Sequence, residues 1–73
     1  MPEVGQKVYY ARILHTHGIY ELLELKIRTS NEQYFVGVDE RTKQAHMFSK
    51  HALNDFIFFN REEALLKLRE AEG

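Results

Sequence analysis

The last twenty residues of the chain constrain its fold more than any other stretch, because an apolar strand there leads almost directly into a helix. The run FIFF at 56–59 predicts a strand whose phenylalanines fill a core, and the amphipathic segment at 61–71 predicts a helix. Asn60 between them suits a helix N-cap, and Glu63 falls where its carboxylate can bond back to the cap and pair with Lys67. A helix this short is marginal in water by itself, so we expect it to dock on the sheet. The docking face is predicted to contain Ala64, Leu65, Leu68 and Ala71.

Three stretches upstream have the composition of strands. Residues 7–14 and 33–38 are rich in β-branched and aromatic residues, which suit a pleated surface. Residues 44–48 form another short run, separated from 33–38 by the charged loop 39–43. Two such runs around a short loop predict a β-hairpin. Gly37 inside the first arm indicates a bulge or a close approach by another strand.

The segment 19–29 fits two patterns. Leu23, Leu25 and Ile27 alternate with charged residues, which predicts a strand with these three side chains facing inward. A helical period also fits the segment, and we favour the strand because the neighbouring runs need a pairing partner. Further along, Ser49 is placed to cap a single helical turn before the last strand.

These elements predict one α+β domain, mainly β, that spans residues 1–73. Its four or five strands are predicted to form a small, strongly bent antiparallel sheet or an SH3-like barrel, with a C-terminal helix. A domain of 73 residues is close to the lower size limit for an unaided hydrophobic core, so its stability must come from packing or from association with a second copy or a partner.

The composition excludes several classes of protein. The chain has no cysteine, so it has neither a disulfide framework nor a thiolate metal site. No apolar stretch approaches the length of a membrane span, and no signal peptide is recognisable, so we predict a cytoplasmic protein without membrane contact. Ten basic and eleven acidic residues give a net charge of -1, whereas dedicated nucleic-acid binders usually show a basic excess.

No catalytic, metal or cofactor site is predicted. The chain has four histidines, at positions His15, His17, His46 and His51. They lack the tight spacing of a zinc site, so we expect them to be ordinary surface histidines. The chain contains no Gly-rich phosphate loop. Its acidic pairs have structural explanations, because Asp39–Glu40 lies in the hairpin loop and Glu62–Glu63 lies at the start of the helix. The protein is therefore predicted not to be an enzyme.

Both ends of the chain resemble a known group of proteins. The segments Lys7–Tyr10 (KVYY) and Ile57–Ala64 (IFFNREEA) are similar to the opening and closing segments of small, mostly uncharacterised single-domain proteins of prophages and conjugative elements in Gram-positive bacteria. The resemblance implies an SH3-like barrel with a strand-to-helix closure, and a setting in a mobile element. It carries over no catalytic residue, because the shared motif is structural.

Binding to another protein is the function that we favour. Four tyrosines and five phenylalanines offer more aromatic area than one small core easily buries, and tyrosine is enriched in interfaces. The partner is predicted to be a second copy of the chain, or a host enzyme or defence component that the protein modulates. The candidate binding surface consists of Tyr9, Tyr10, Arg12, Tyr20, Lys26, Arg28, Tyr34 and Leu66.

Two other functions stay open at this point. One is a nucleic-acid-binding barrel, in which basic side chains beside exposed tyrosines track a strand. Its basic residues would be Lys7, Arg12, Lys26 and Arg28. The other is capture of a small anionic ligand between the subunits of an oligomer, in a pocket lined by arginine or histidine.

Overall fold

The computed structural model describes residues 2–73 of the chain. Within that range the strands are β1 (Lys7–Leu14), β2 (Ile19–Ser30), β3 (Tyr34–Val38), β4 (Ala45–Ser49) and β5 (Ile57–Phe58), and the helix is α1 (Arg61–Glu72). Single 3-10 turns at His15–His17 and Lys50–Ala52 follow β1 and β4. The segment 19–29, where both a strand and a helix fit the pattern, is a strand.

The five strands form one antiparallel sheet in the order β4-β3-β2-β1-β5. The predicted mainly β fold with a C-terminal helix is confirmed at this level. β2 is the longest strand, and it pairs with β1 along its first part and with β3 along its last part. The register shifts between Ile27 and Thr29, so the bulge lies in β2, on the strand that faces Gly37.

The sheet is strongly curled. The ring centroids of Tyr10 in β1 and Phe48 in β4 lie 4.9 Å apart, although β2 and β3 separate these strands. In a flat sheet the same strands would be roughly 14 Å apart, because neighbouring strands are spaced by about 4.8 Å. The curl stops short of closure, since β4 and β5 are the two ends of the sheet order and do not pair. A closed barrel is therefore not shown.

The curled sheet encloses the main core on its inner face. Leu25 and Ile27 of β2 are buried there, as their alternation with charged residues predicts. Leu23 lies on the same side but is only partly buried. The buried members of the inner core are Val8, Leu25, Ile27, Phe35, Phe48, Ala52 and Ile57.

α1 packs on the outer face of the sheet, over β1, β2 and β5. Ala64 and Leu68 are buried against Ala11 and Phe58 in a second, smaller core, which is what the docking prediction requires. Successive residues of β1 therefore serve two cores, because side chains alternate between the faces of a strand. Apolar residues occur on both faces of β1 for this reason.

The strand-to-helix junction differs in detail from its prediction. Asn60 is confirmed as the N-cap, and its Oδ1 accepts a hydrogen bond from the Glu62 N–H at 2.7 Å. In residues 2–73 the backbone N–H of the cap residue does not donate a hydrogen bond to the Glu63 carboxylate. Lys67 pairs with Asp55 at 3.7 Å rather than with Glu63. Phe59 lies outside the core and is 39% exposed, because β5 ends one residue earlier.

The turn before β5 is capped as predicted. The Ser49 Oγ accepts a hydrogen bond from the His51 N–H at 3.2 Å, and this starts the 3-10 turn at Lys50–Ala52. Ala52 enters the inner core. The turn thereby directs the chain from β4, at one end of the sheet, to β5 at the other end.

Candidate protein-binding surface

The structure does not gather the four tyrosines of the predicted binding surface. Tyr9 and Tyr20 pack against the small core beneath α1, whereas Tyr10 packs against the inner core. Tyr34 is half-buried in the first position of β3. The Tyr20 hydroxyl also lies 3.3 Å from the His15 Nδ1. All four tyrosines are half-buried, and they do not form one exposed face.

The cations of the nucleic-acid hypothesis lie on two faces. Arg12 is opposite Glu21 in the β1–β2 pairing, and its Nη1 lies 3.4 Å from the Glu21 Oε1. Lys7 is five residues earlier in the same strand, so its side chain points to the other face. There it is directly opposite Lys26. Arg12 is thus separated from the other basic residues.

Leu66 is exposed, but it stands alone. It lies on the solvent side of α1 with 54% of its surface accessible. The shallow depression beside it is bordered by charged side chains, including Glu63, Lys67 and Glu70. A single apolar side chain among charges is ordinary on a protein surface.

The outer side of the β3–β4 hairpin carries a different set of apolar residues. β3 and β4 pair so that Val36 is opposite Met47, and Val38 is opposite Ala45. These four residues form what we call the outer hairpin face. Their side chains point away from the inner core because Phe35 and Phe48, one residue along, point into it. Met47 is 70% exposed.

A shallow depression of about 360 Å³ continues the outer hairpin face towards β2 and the N-terminal segment. Val4 lies at its edge and is 69% exposed. Val38 contributes to its apolar lining, and the cations around it are Lys26, Arg28 and Lys43. Glu40 is the one carboxylate among its lining residues. Apolar and basic groups therefore lie side by side on this part of the surface.

A second depression, of about 420 Å³, lies between β1, β2, the hairpin loop and the start of α1. Its charged lining residues are Lys7, Glu24, Asp39, Glu40, Arg41 and Arg61. The Lys7 Nζ is 3.9 Å from the Glu24 Oε2. Asp39 is buried, and its Oδ1 accepts hydrogen bonds from the N–H groups of Arg41 and Thr42. Three cations are thus offset by three carboxylates, which gives the depression no preference for an anion.

The histidines occupy separate places in the fold. His15 contacts Tyr20 after β1, and His46 packs beside Phe48 and Tyr10 in β4. His17 and His51 are exposed in the two 3-10 turns. In the part of the chain that the structure describes, no three His, Asp or Glu side chains come close enough to hold a metal ion.

Comparisons of the chain with models of protein families, with curated proteins and with solved structures find no match. Across residues 2–73 no helix has the length and apolar character needed to cross a bilayer.

The binding surface predicted from sequence did not include Val4, Val38, Lys43, Ala45 or Met47. One signal in the sequence marks the region around Met47. Residues 41–54 contain no Asp or Glu, although the whole chain has eleven. This stretch also contains Arg41, Lys43 and Lys50, so it is locally basic within an almost neutral chain.

Proposed function

We propose that this protein is a non-enzymatic binding module that recognises another protein through the outer hairpin face and the depression beside it. The observation that carries the proposal is the 70% exposure of Met47 on a strand at the end of the sheet. Methionine is a flexible, polarisable contact residue, and interfaces are enriched in it. Val4 and Val38 extend the apolar contact, and the surrounding cations supply a polar rim.

We also propose a fold type and a biological setting for this surface. The curled five-stranded sheet and its closing helix support an open variant of the SH3-like plan, and the resemblance of the two chain ends supports a cytoplasmic accessory protein of a prophage or conjugative element. The partner is then a host enzyme or defence component that the protein modulates, or a second copy of the chain.

Site-specific photo-crosslinking tests the proposal. A benzophenone amino acid at position 47 is expected to form adducts with a partner protein in a host lysate. The same group at position 66, which is also exposed and apolar, serves as the matched control and is expected to form few adducts. Adducts with a second copy of the chain would identify a homo-oligomer. Stronger crosslinking from position 66 than from position 47 would contradict the proposed surface.

A second candidate is nucleic-acid binding by the cations of the outer face. Lys7 and Lys26 are directly opposite each other, and Arg28 and Lys43 border the same depression as Lys26. Neighbouring cations on one face can follow a phosphate backbone. This arrangement differs from the four cations that the sequence predicts, because it includes Lys43 and leaves out Arg12.

Fluorescence anisotropy with single-stranded and duplex oligonucleotides separates the two candidates. Under the nucleic-acid hypothesis, binding at low salt is lost in Lys26→Glu/Arg28→Glu and kept in Arg12→Glu, because only the first variant changes the outer face. Binding must also weaken as salt increases, since counterions compete for the phosphates. Absence of salt-sensitive binding removes this candidate and leaves the protein-binding proposal.

A further inference from the structure

We propose that β4 binds its partner by strand addition, and that the added segment is an extended peptide with acidic residues at its ends. This inference rests on the proposed function, because it specifies how the protein partner is held beside the outer hairpin face. It depends on two independent features of β4, namely the direction of its backbone groups and the charge of the residues around it.

The hydrogen-bond pattern of the hairpin shows which backbone groups face the open edge. The Asp39 N–H donates to the Gln44 carbonyl, and the Lys50 N–H donates to the Gln33 carbonyl. In an antiparallel pair, hydrogen-bonded and non-hydrogen-bonded residues alternate. With the register of the hairpin, the even-numbered residues of β4 therefore bond to β3. The N–H and C=O groups of Ala45 and Met47, and the N–H of Ser49, point to the open edge.

These outward groups are available to another strand. β4 is the last strand on its side of the sheet, and in residues 2–73 no backbone hydrogen bond is made by the outward groups of Ala45 and Met47. An added strand can bond to both of these residues and to the Ser49 N–H. Strand addition of this kind obtains much of its affinity from main-chain bonds.

β4 also lacks the features that usually protect an edge strand. Natural edges are protected by lysine or proline within the strand, by a bulge, or by very short length. The sequence of β4 is AHMFS, five residues without a charge or a proline. The register shift of the sheet lies in the β2–β3 pairing and not in β4. β5, at the opposite end of the sheet, has only two residues and is protected by its length.

The charge around β4 selects the occupant. Residues 41–54 contain three Lys or Arg residues and no carboxylate. Lys43 lies two residues before β4, and Lys50 follows the strand directly. Lys26 and Arg28 line the depression beside the outer hairpin face, with Glu40 as its one carboxylate. Opposite charges on neighbouring strands stabilise a pair, whereas like charges destabilise it. An extended segment with carboxylates at both ends complements this edge.

The basic character of residues 41–54 also disfavours pairing of β4 with a second copy of the chain. Two antiparallel copies of β4 would bring one acid-free segment against another, with Lys43 and Lys50 of each copy near the other copy and no carboxylate within either segment. The edge therefore suits a partner of opposite charge better than itself.

A pair of synthetic peptides tests both features at once. The first probe is Ac-Glu-Glu-Val-Thr-Val-Thr-Val-Glu-Glu-NH2, and the matched probe has lysine in place of every glutamate. We expect the acidic probe to bind at least about tenfold more tightly at low salt, with the difference shrinking as salt increases. Equal binding of the two probes, or no binding of the acidic probe at its highest soluble concentration, overturns the proposal.

Substitutions at Met47 separate the backbone from the side chain. Met47→Pro removes an outward N–H without touching the bonds to β3, and edge strands tolerate proline at such positions. Met47→Ala removes the side chain but keeps the N–H. We expect the proline variant to weaken binding of the acidic probe at least about tenfold relative to the alanine variant. Similar affinities would show that no strand is added.

Amide hydrogen exchange in the unmodified protein gives an answer even if the proline variant does not fold. Addition of the acidic probe is expected to slow exchange at the amides of Ala45, Met47 and Ser49. The amides of Phe35 and Phe48, which belong to the hairpin itself, serve as the internal reference. If exchange at the three outward amides does not change while the probe is bound, strand addition is excluded.

One combination distinguishes failure of this inference from failure of the proposed function. The crosslinking group at position 47 is combined with Ala45→Pro, which blocks the edge next to it. Loss of the partner adduct supports strand addition. A persistent adduct shows that a protein docks on the outer hairpin face without pairing with β4, so the inference fails and the proposed function stands. Self-adducts at position 47 that disappear with Ala45→Pro would identify a second copy as the occupant and overturn the acidic peptide.

Discussion

The Leu25 side chain of β2 packs directly against Gly37 of β3. A Cβ atom added at Gly37 would lie 3.0 Å from the Leu25 Cβ and 3.1 Å from its Cδ1, and Leu25 is itself buried in the inner core. Any larger residue here would therefore require the Leu25 side chain to shift. The backbone of Gly37 is not in the left-handed region, so conformational strain is not a reason for glycine here.

Gly37→Ala is expected to lower the free energy of unfolding by about 1–3 kcal/mol, which is typical for overpacking a well-packed core. The sign is diagnostic, because in an open strand alanine would be more stable than glycine by about 0.5–1 kcal/mol. Urea denaturation followed by circular dichroism measures the change. Unchanged or increased stability would show that Leu25 moves aside without cost.

Phe48→Ala is expected to cost about 3–5 kcal/mol of stability, because Phe48 links the edge strand to Tyr10 across the curled sheet and leaves a cavity when it is removed. The neighbouring Met47→Ala is the control, with an expected effect within about 0.5 kcal/mol, because its side chain is exposed. Thermal and urea unfolding of both variants provide the comparison. Similar losses in the two variants would contradict the alternation of β4.

Asn60→Ala is expected to destabilise the protein by about 0.5–2 kcal/mol, since the Glu62 N–H loses its hydrogen-bond acceptor. Asn60→Gly should lower the free energy of unfolding by only a few tenths of a kcal/mol, because glycine is tolerated as an N-cap. Glu63→Ala is expected to cost no more than about 1 kcal/mol, from the lost attraction between its charge and the helix dipole, because no cap N–H donates to its carboxylate. A larger loss in Glu63→Ala would indicate that a capping box forms in solution.

Asp39→Ala is expected to cost about 1–3 kcal/mol, because the N–H groups of Arg41 and Thr42 lose their acceptor in the hairpin loop. Asp39→Asn keeps a side-chain oxygen and should recover most of that loss. Amide exchange of Arg41 locates the effect. Equal destabilisation by alanine and asparagine would point to the charge of Asp39 rather than to its hydrogen bonds.

The Arg12–Glu21 pair is expected to contribute less than about 1 kcal/mol, as measured by a double-mutant cycle with alanine at both positions. Both side chains are partly accessible to solvent, which screens their attraction. The coupling energy should fall further at high salt. A coupling above that range would indicate that the pair is more strongly held in solution.

Local features of this fold were predictable from sequence because neighbouring residues determine them. The alternation in β2 identifies Leu25 and Ile27 as buried, and the residue type at position 60 identifies the helix cap. These patterns depend on side-chain periods and hydrogen bonds within a few residues. The ambiguous segment is a strand because β1 and β3 both pair with it, which is a tertiary effect.

The proposed binding surface was harder to predict because it depends on the order of the strands. Periodicity does not show that β4 is at the end of the sheet, or that α1 covers β1, β2 and β5 and leaves Ala45 and Met47 of the outer hairpin face exposed. The tyrosines have the composition of an interface, but the curl of the sheet and the docked helix half-bury them. The absence of carboxylates from residues 41–54 was the one local signal of the surface.

The two ends of the sheet differ in a way that limits assembly. β5 has two residues and passes into α1 after only two more, whereas β4 offers a five-residue edge. Continuous growth of a sheet from subunit to subunit needs two usable edges on every subunit, and residues 2–73 offer one. Direct edge-to-edge pairing between copies of the chain therefore stops at two molecules.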